Sequence, residues 1–191
     1  MDVSHYIRTY QDIIPLETLS SLIKWANTQN FNPAGILKKG QNNFLDENVR
    51  KVKALNLNVN SESLTNAHYF NLLGRTFTNY IQRYFKDTVN DPHAGITELI
   101  DISILKYEDK GFYTWHTDHH ASIPRTISLI YFCNNDYEGG ELCFANEKME
   151  EIISLPKIAN SLVIWPSNFI FPHRVNPVTK GIRYSVVCWG V

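Results

Sequence analysis

The sequence predicts an α+β chain: a β-sandwich, folded as a double-sheet jelly roll or small barrel and buttressed by helices near its N-terminus. Two observations carry this. The first half holds two segments with apolar residues at helical spacing. From Ile96 onward, short β-rich runs follow one another, separated by Gly, Pro, Asn and Asp, with no helix between them. That order points away from a parallel α/β sheet. With 43% hydrophobic and 13% aromatic residues in 191, the chain has material for one sizeable core in a single domain, 1–191.

The first helix follows Pro15 and carries Leu19, Leu22, Ile23 and Ala26 on one side, ending near Asn30. The second is expected from about Asn66 to Phe85, with Tyr69, Leu73, Phe77, Tyr80, Ile81 and Tyr84 on one face. Between them, Phe31 to Ser63 is rich in Asn, Lys and Gly and has no clear period, which reads as a long loop, either disordered or functional, and as the candidate lid. Residues 1–95 are thus mainly helical support and lid. After Asp91-Pro92 the character changes, and residues 96–191 form the β core. Its strands are expected at Leu99–Tyr107, Phe112–His116, Thr126–Cys133, Glu141–Ala145, Ile152–Leu155, Ser161–Trp165, Phe171–Val175 and Arg183–Trp189. Ile100, Ile102 and Ile104 alternate with Asp101 and Ser103, as a half-buried strand requires. Gly139-Gly140 reads as a tight turn.

The bulk properties exclude several partners. A net charge of −1 provides no field to draw the chain to nucleic acid or an anionic membrane. The basic residues between Lys38 and Lys53 read as a solvated face or loop. The opening MDVSHYIRTY lacks a secretory pattern, and runs such as Ile127 to Cys133 are too short to span a bilayer. Cys133, Cys143 and Cys188 cannot all pair, have no C-x-x-C spacing and read as small buried hydrophobes. A reducing, cytoplasmic setting is the expectation.

The chemistry concentrates in three places. His116 and Asp118 stand two apart at the end of a strand, so both side chains can reach one ion. Such a tripeptide alone usually marks a turn. His173, on a later strand, completes two imidazoles and a carboxylate, the set that suits iron(II) and leaves positions open. Zinc would accept the same ligands, but a redox-inert ion leaves the next feature unexplained. That feature is Arg183, ten residues beyond His173 and followed by Val186, Val187, Cys188 and Trp189. A hairpin of that length is expected to place it on the strand next to His173. A buried arginine there demands an anion, either an internal glutamate or a bound dicarboxylic acid held by Arg183 and the Ser185 hydroxyl. His119 and His120 read as neighbours of the site rather than ligands.

Tyr107 to Asp118, Arg125-Thr126-Ile127-Ser128-Leu129-Ile130-Tyr131-Phe132, Glu138-Gly139-Gly140-Glu141-Leu142 and the run from His173 to Arg183 together resemble the iron(II)/2-oxoglutarate-dependent dioxygenases of the prolyl 4-hydroxylase-like branch. The likeness covers roughly Leu99 to Val191. It implies a double-stranded β-helix (jelly-roll, cupin-like) using Fe(II), 2-oxoglutarate and O2, often with L-ascorbate as reductant. It implies His116, Asp118 and His173 as metal ligands, Arg183 as the anchor of the distal carboxylate, and Tyr107 lining the 2-oxoglutarate pocket. Many prolyl hydroxylases carry lysine where Arg183 stands; arginine is the other common solution. Tyr113, Arg125 and Trp189 fall where that family surrounds a peptidyl proline, although Tyr113 and Trp189 also suit a core and Arg125 a surface charge.

The leading reading is hydroxylation of a peptidyl proline in a protein or peptide substrate. The alternatives are a free amino acid or small metabolite as substrate, nucleic-acid demethylation, and a non-enzymatic cupin-type metal-binding domain. Family members acting on nucleic acid typically carry a further arginine where Trp189 stands, and the cupin reading leaves Arg183 without a reason.

Overall fold

The structure is a computed structural model that describes residues 3–38, 41–89, 94–146 and 148–191. In chain order its first half holds β1 (Arg8–Gln11), α1 (Leu16–Asn27), β2 (Asn32–Pro33), β3 (Ile36–Lys38), β4 (Gln41–Phe44), β5 (Arg50–Lys51), β6 (Lys53–Asn56) and α2 (Leu64–Thr88). The second half holds β7 (Leu99–Tyr107), β8 (Phe112–His116), β9 (Ile127–Phe132), β10 (Glu138–Gly139), β11 (Leu142–Ala145), β12 (Glu151–Ser154), β13 (Ser161–Pro166), β14 (His173–Val175), β15 (Val178–Lys180) and β16 (Arg183–Gly190). All eight expected strands are present within a residue or two of their expected ends. The Asp91-Pro92 boundary lies outside the described residues.

Two sheets face one another. The larger runs β1-β13-β9-β16-β7-β6-β2 and the smaller β12-β11-β14-β8-β5, every pairing antiparallel. This is the double-stranded β-helix arrangement. Leu105, Tyr107, Phe132 and Trp165 of the larger sheet meet Leu142, Phe144 and Val175 of the smaller in an inter-sheet core.

The helices cover the other face of the larger sheet. Ser63 caps α2, its Oγ accepting from the Asn66 amide at 3.3 Å. Tyr69, Leu73, Phe77, Ile81 and Tyr84 recur at helical spacing and are buried against Ile102, Ile104, Leu129, Tyr131 and Val186. The expected Tyr80 is only half-buried and packs on the Tyr10 ring. Asn160 ties the N-terminal segment down: its Nδ2 donates to the Ile14 carbonyl (2.8 Å), and its Oδ1 accepts from the Ile14 amide (3.1 Å) and the Tyr131 hydroxyl (2.8 Å). All three cysteines are buried and free. No helix among the described residues is long and apolar enough to cross a membrane.

Three expectations need correcting. The segment from Phe31 to Ser63 is not an open loop. It contributes β2 and β6 to one edge of the larger sheet and β5 to an edge of the smaller. Its sequence hides this because the strands are two to four residues long, too short for a period to register. The alternation around Ile100 is broken as well. β7 carries an extra residue where Ser103 pairs with Val187 and Ile100 with Trp189, and Asp101 sits there at φ 57°. Beyond that bulge Leu99 joins the helical side of the core in place of Ile100. Finally, Arg183 is not next to His173 in a sheet: β14 lies in the smaller sheet, β16 in the larger, and β15 between them pairs with β10.

Candidate metal centre and cleft

The face of the smaller sheet that looks onto the larger one brings the three sequence-predicted ligands together. His116 ends β8, His173 opens β14, and the two are paired in register. Asp118 follows β8 in a turn, two residues after His116. Ligand atoms of all three lie within 4.8 Å of one another. Asp118 Oδ1 is 3.6 Å from His116 Nε2, and Oδ2 is 3.4 Å from His173 Nε2.

The tautomers are set from behind. His116 Nδ1 faces the Thr114 carbonyl at 2.8 Å and His173 Nδ1 the Phe171 carbonyl at 3.0 Å. Each Nδ1 therefore carries the proton and donates it, leaving both Nε2 lone pairs aimed at the point Asp118 shares. Burial and the neighbouring His173 ring hold the His116 pKa down at about 3, so its imidazole is neutral. Burial pushes the Asp118 carboxyl up, but its surroundings, the hydrogen bond donated by the Ser128 hydroxyl among them, hold the pKa below the usual carboxylate range. Two pre-oriented imidazoles turned toward one carboxylate are the donor set that suits iron(II) with open positions.

Ser128 and Ser167 were not singled out in the sequence. Ser128 Oγ donates to Asp118 Oδ2 at 2.7 Å and lies 2.7 Å from Ser167 Oγ. A serine in the otherwise apolar run Ile127–Phe132 is the signal that would have found the first.

Arg183 is fully buried. Its Nη1 donates to Ser185 Oγ at 2.9 Å, and its guanidinium lies over the Tyr107 ring (4.8 Å) and the Phe132 ring (5.1 Å). Nε and Nη2 make no hydrogen bond of ordinary geometry, although the Tyr137 hydroxyl is their neighbour, and no carboxylate among the described residues pairs with the guanidinium. The internal glutamate partner is thus absent there, and a buried cation with free donors is what a ligand carboxylate would complete. Gly140 permits this packing: a Cβ there, at φ 66°, would come within 3.1 Å of Arg183 Cδ. The Tyr137 hydroxyl is also buried without a partner of ordinary geometry.

A cleft of about 1000 Å³ contains the triad and Tyr107 and is floored by Leu105, Ile130, Val175 and Val187. Its rim includes Asn32 to Ile36 and Asn56, the segment expected as a lid. Arg125 lies 3.7 Å over the Trp189 ring, 3.3 Å from Asp101 and 3.4 Å from the Asp118 carbonyl, to which it donates. Arg125 and Trp189 both line the cleft, and Trp189 also packs against the inter-sheet core. Tyr113 lines it too, but in a way its sequence position did not suggest. Its ring is stacked on His116 at 3.5 Å and 20°, so it is not separate from the metal ligands. His119 and His120 stay outside the triad, on the Arg125 carbonyl (3.0 Å) and Ser122 Oγ (2.7 Å). Arg50 belongs to the basic run read as solvated, yet it lies over the Tyr113 ring in the cleft. Lys51 and Lys53 do face solvent, paired with Asp109 and Glu108.

Comparison with known proteins agrees with this geometry. Residues 102–190 match the 2OG-Fe(II) oxygenase superfamily. A PKHD-type hydroxylase of Synechococcus sp. (strain JA-3-3Ab) is 38% identical over 96 residues, covering 46% of this chain and 41% of that protein. A PKHD-type hydroxylase of Aliarcobacter butzleri is 29% identical over 127 residues, covering 59% of this chain and 54% of that one. The chain thus spans about half the length of these relatives or less. In fold it is similar to a Pseudomonas putida prolyl-4-hydroxylase, with a TM-score of 0.73 at 18% identity over 98% of this chain and 93% of the other. It is similar also to a Trichoplax adhaerens prolyl hydroxylase in complex with a hypoxia inducible factor oxygen degradation domain peptide fragment, with a TM-score of 0.77 at 16% identity over 98% and 84%.

Proposed function

We propose that this chain, whose residues 102–190 match the 2OG-Fe(II) oxygenase superfamily, hydroxylates a C–H bond, and that the bond lies in a peptidyl proline. One observation carries the reading: a buried guanidinium with free donors beside the same cleft as two imidazoles and a carboxylate. A metal-storage role gives that guanidinium no purpose.

His116, Asp118 and His173 would hold iron(II). Arg183 and Ser185 would hold the distal carboxylate of 2-oxoglutarate, with Tyr107 lining its pocket. Iron(II), with O2 and 2-oxoglutarate, supplies the oxidising power, and the cosubstrate leaves as succinate and carbon dioxide. The chain's own work is to orient and to exclude water. Ser128 fixes the Asp118 carboxylate, the backbone carbonyls of Thr114 and Phe171 fix the imidazoles, and Leu105, Ile130, Val175 and Val187 keep the floor apolar. Arg125 would donate to the substrate carbonyl, with Tyr113 and Trp189 as walls for the ring.

A peptide suits the cleft because about 1000 Å³ extends well past the triad to Asn32–Ile36; the Trichoplax relative accommodates a peptide in the same fold. Nucleic acid is disfavoured by the net charge of −1, which gives no attracting field. The proposal takes 1–191 as one catalytic unit, with L-ascorbate as a reductant. It places the protein in the cytoplasm, in keeping with three unpaired cysteines. A second reading, a free amino acid, rests on Asp101 and Arg125 side by side, since a zwitterion carries the complementary charges.

The test is turnover with iron(II), 2-oxoglutarate and air, reading succinate and hydroxyproline by mass spectrometry on proline-containing peptides and on free proline. Peptide hydroxylation that Asp118→Ala abolishes is expected. Succinate formation with free proline alone would transfer the assignment to the second reading, and no succinate from any substrate would remove the enzyme reading.

A further inference from the structure

The metal ligand His116 is supported on its open side by a stack that begins in the N-terminal half of the chain. Arg50 and Tyr113 are register partners on β5 and β8. The Arg50 guanidinium carbon lies 4.7 Å from the Tyr113 ring centroid, within cation–π range. Tyr113 in turn lies 3.5 Å from His116, at 20° between the planes. Tyr113 and His116 are three apart and would point to opposite faces of a regular strand. They share a face because β8 carries an extra residue where His116 pairs with His173 and Tyr113 with Val175.

The far end of the stack is fixed as well. Arg50 Nη1 donates to the Gly35 carbonyl at 2.8 Å, on the rim of the cleft. The Val49 carbonyl accepts from the Thr114 amide at 2.9 Å, so Arg50 is held on the same backbone that carries Tyr113. Behind it, among the described residues, one hydrogen bond sets the orientation of His116, from Nδ1 to the Thr114 carbonyl. That bond leaves rotation of the ring plane about the Nδ1–carbonyl direction free, and a flat ring at stacking distance removes that freedom.

From this geometry we propose that Arg50 is a positioning residue for the metal centre: clamped by Gly35, it holds Tyr113 flat against His116 and so fixes the imidazole plane for metal binding. The inference rests on reading His116, Asp118 and His173 as metal ligands. It assigns a task to a residue outside the β half that matches the superfamily, and explains why the N-terminal segment reaches into the cleft.

The experiment measures cobalt(II) affinity, by visible absorption and calorimetry under nitrogen, for the parent, Arg50→Ala, Tyr113→Ala and the double variant, with Asp118→Ala as the control. Thermal melting of each metal-free protein is recorded alongside. Groups that orient a ligand typically change metal affinity by about tenfold to a hundredfold. Arg50→Ala and Tyr113→Ala should each weaken cobalt(II) by about tenfold, and the double variant should be little worse than either, because both break one stack. Arg50→Lys, which keeps the cation but cannot both lie flat on the ring and reach Gly35, should fall between parent and Arg50→Ala; it serves in place of Arg50→Ala if that protein does not fold. A parent that binds cobalt(II) as Asp118→Ala does would overturn the ligand assignment and the inference with it. A parent that binds well, with Arg50 variants within twofold of it or with additive losses in the double variant, would overturn the role of Arg50 alone.

Discussion

Arg183 concentrates the argument at the scale of single residues. Taking a guanidinium out of water without a counter-ion costs several kcal/mol, and a fold retains such a group only when something offsets that cost. Here Ser185 and the Tyr107 and Phe132 rings offset it only in part and no carboxylate among the described residues completes it, so stability and binding should move in opposite directions. Arg183→Met is expected to leave the ligand-free protein as stable or more stable in a thermal melt, while 2-oxoglutarate affinity falls by about thirtyfold or more, the equivalent of roughly 2 kcal/mol or more for a lost buried charge partner. A large loss of melting temperature with unchanged 2-oxoglutarate affinity would make Arg183 a structural residue. The cysteines give a second residue-scale expectation. Burial pushes the Cys133 thiol up to about 12 and raises Cys143 and Cys188 as well. Iodoacetamide at neutral pH should leave all three untouched in the folded protein and alkylate them in urea; rapid labelling of the native form would contradict that burial. At this scale the sequence was most readable where residue type alone carries the chemistry. Two histidines, an aspartate and a lone arginine in an apolar strand were visible as such. Arg50 was not, because nothing in its local spacing tells which face of which sheet it reaches; Ser128 stands out as a hydroxyl in an apolar run, but that signal names no partner.

The same limit appears among the elements. β9, β11, β13 and β16 are buried along almost their whole length and read as continuous apolar runs, so their positions came through within a residue or two. The bulges in β7 and β8 did not, since one extra residue leaves composition unchanged while reversing every side chain beyond it. Those two bulges place Asp101 and Tyr113 in the cleft, so the site's least legible residues owe their places to its least legible backbone. α2 was legible because five core residues recur along one stripe. Phe77 at its centre is fully buried against Tyr131 of β9. Phe77→Ala should cost about 3–5 kcal/mol in urea unfolding, through lost burial and the cavity left behind. A cost under about 1 kcal/mol would mean that the helix is not an integral support for the larger sheet.

For the whole molecule, the division of labour is between a rigid half and an adjustable rim. The larger sheet is covered by helices on one face and by the smaller sheet on the other, whereas the cleft rim hangs from short edge strands. β6 is paired along its length with β7, but β2 contributes only two residues at the outermost edge, where Ala34 donates to the Val52 carbonyl at 2.9 Å and Gly35 is held through the Arg50 guanidinium at 2.8 Å, a contact that opening of the rim would break. Such an edge should open locally at a far lower free energy than the sheet behind it. Hydrogen exchange should therefore show three classes. Amides of β9 and β16 exchange slowest, β6 amides are slow whether or not substrate is present, and the amides of Asn32, Ala34, Gly35 and Ile36 are fast in the free protein. Adding iron(II), 2-oxoglutarate and a proline peptide under nitrogen should slow the last class, because a peptide filling the cleft packs against that rim. The magnitude should exceed what iron(II) and 2-oxoglutarate produce alone, since these occupy the cleft floor. Equal protection of Asn32 to Ile36 with and without peptide would make this rim a fixed wall, and the selection of substrate would then fall to Arg125, Trp189 and Asp101 on the opposite side.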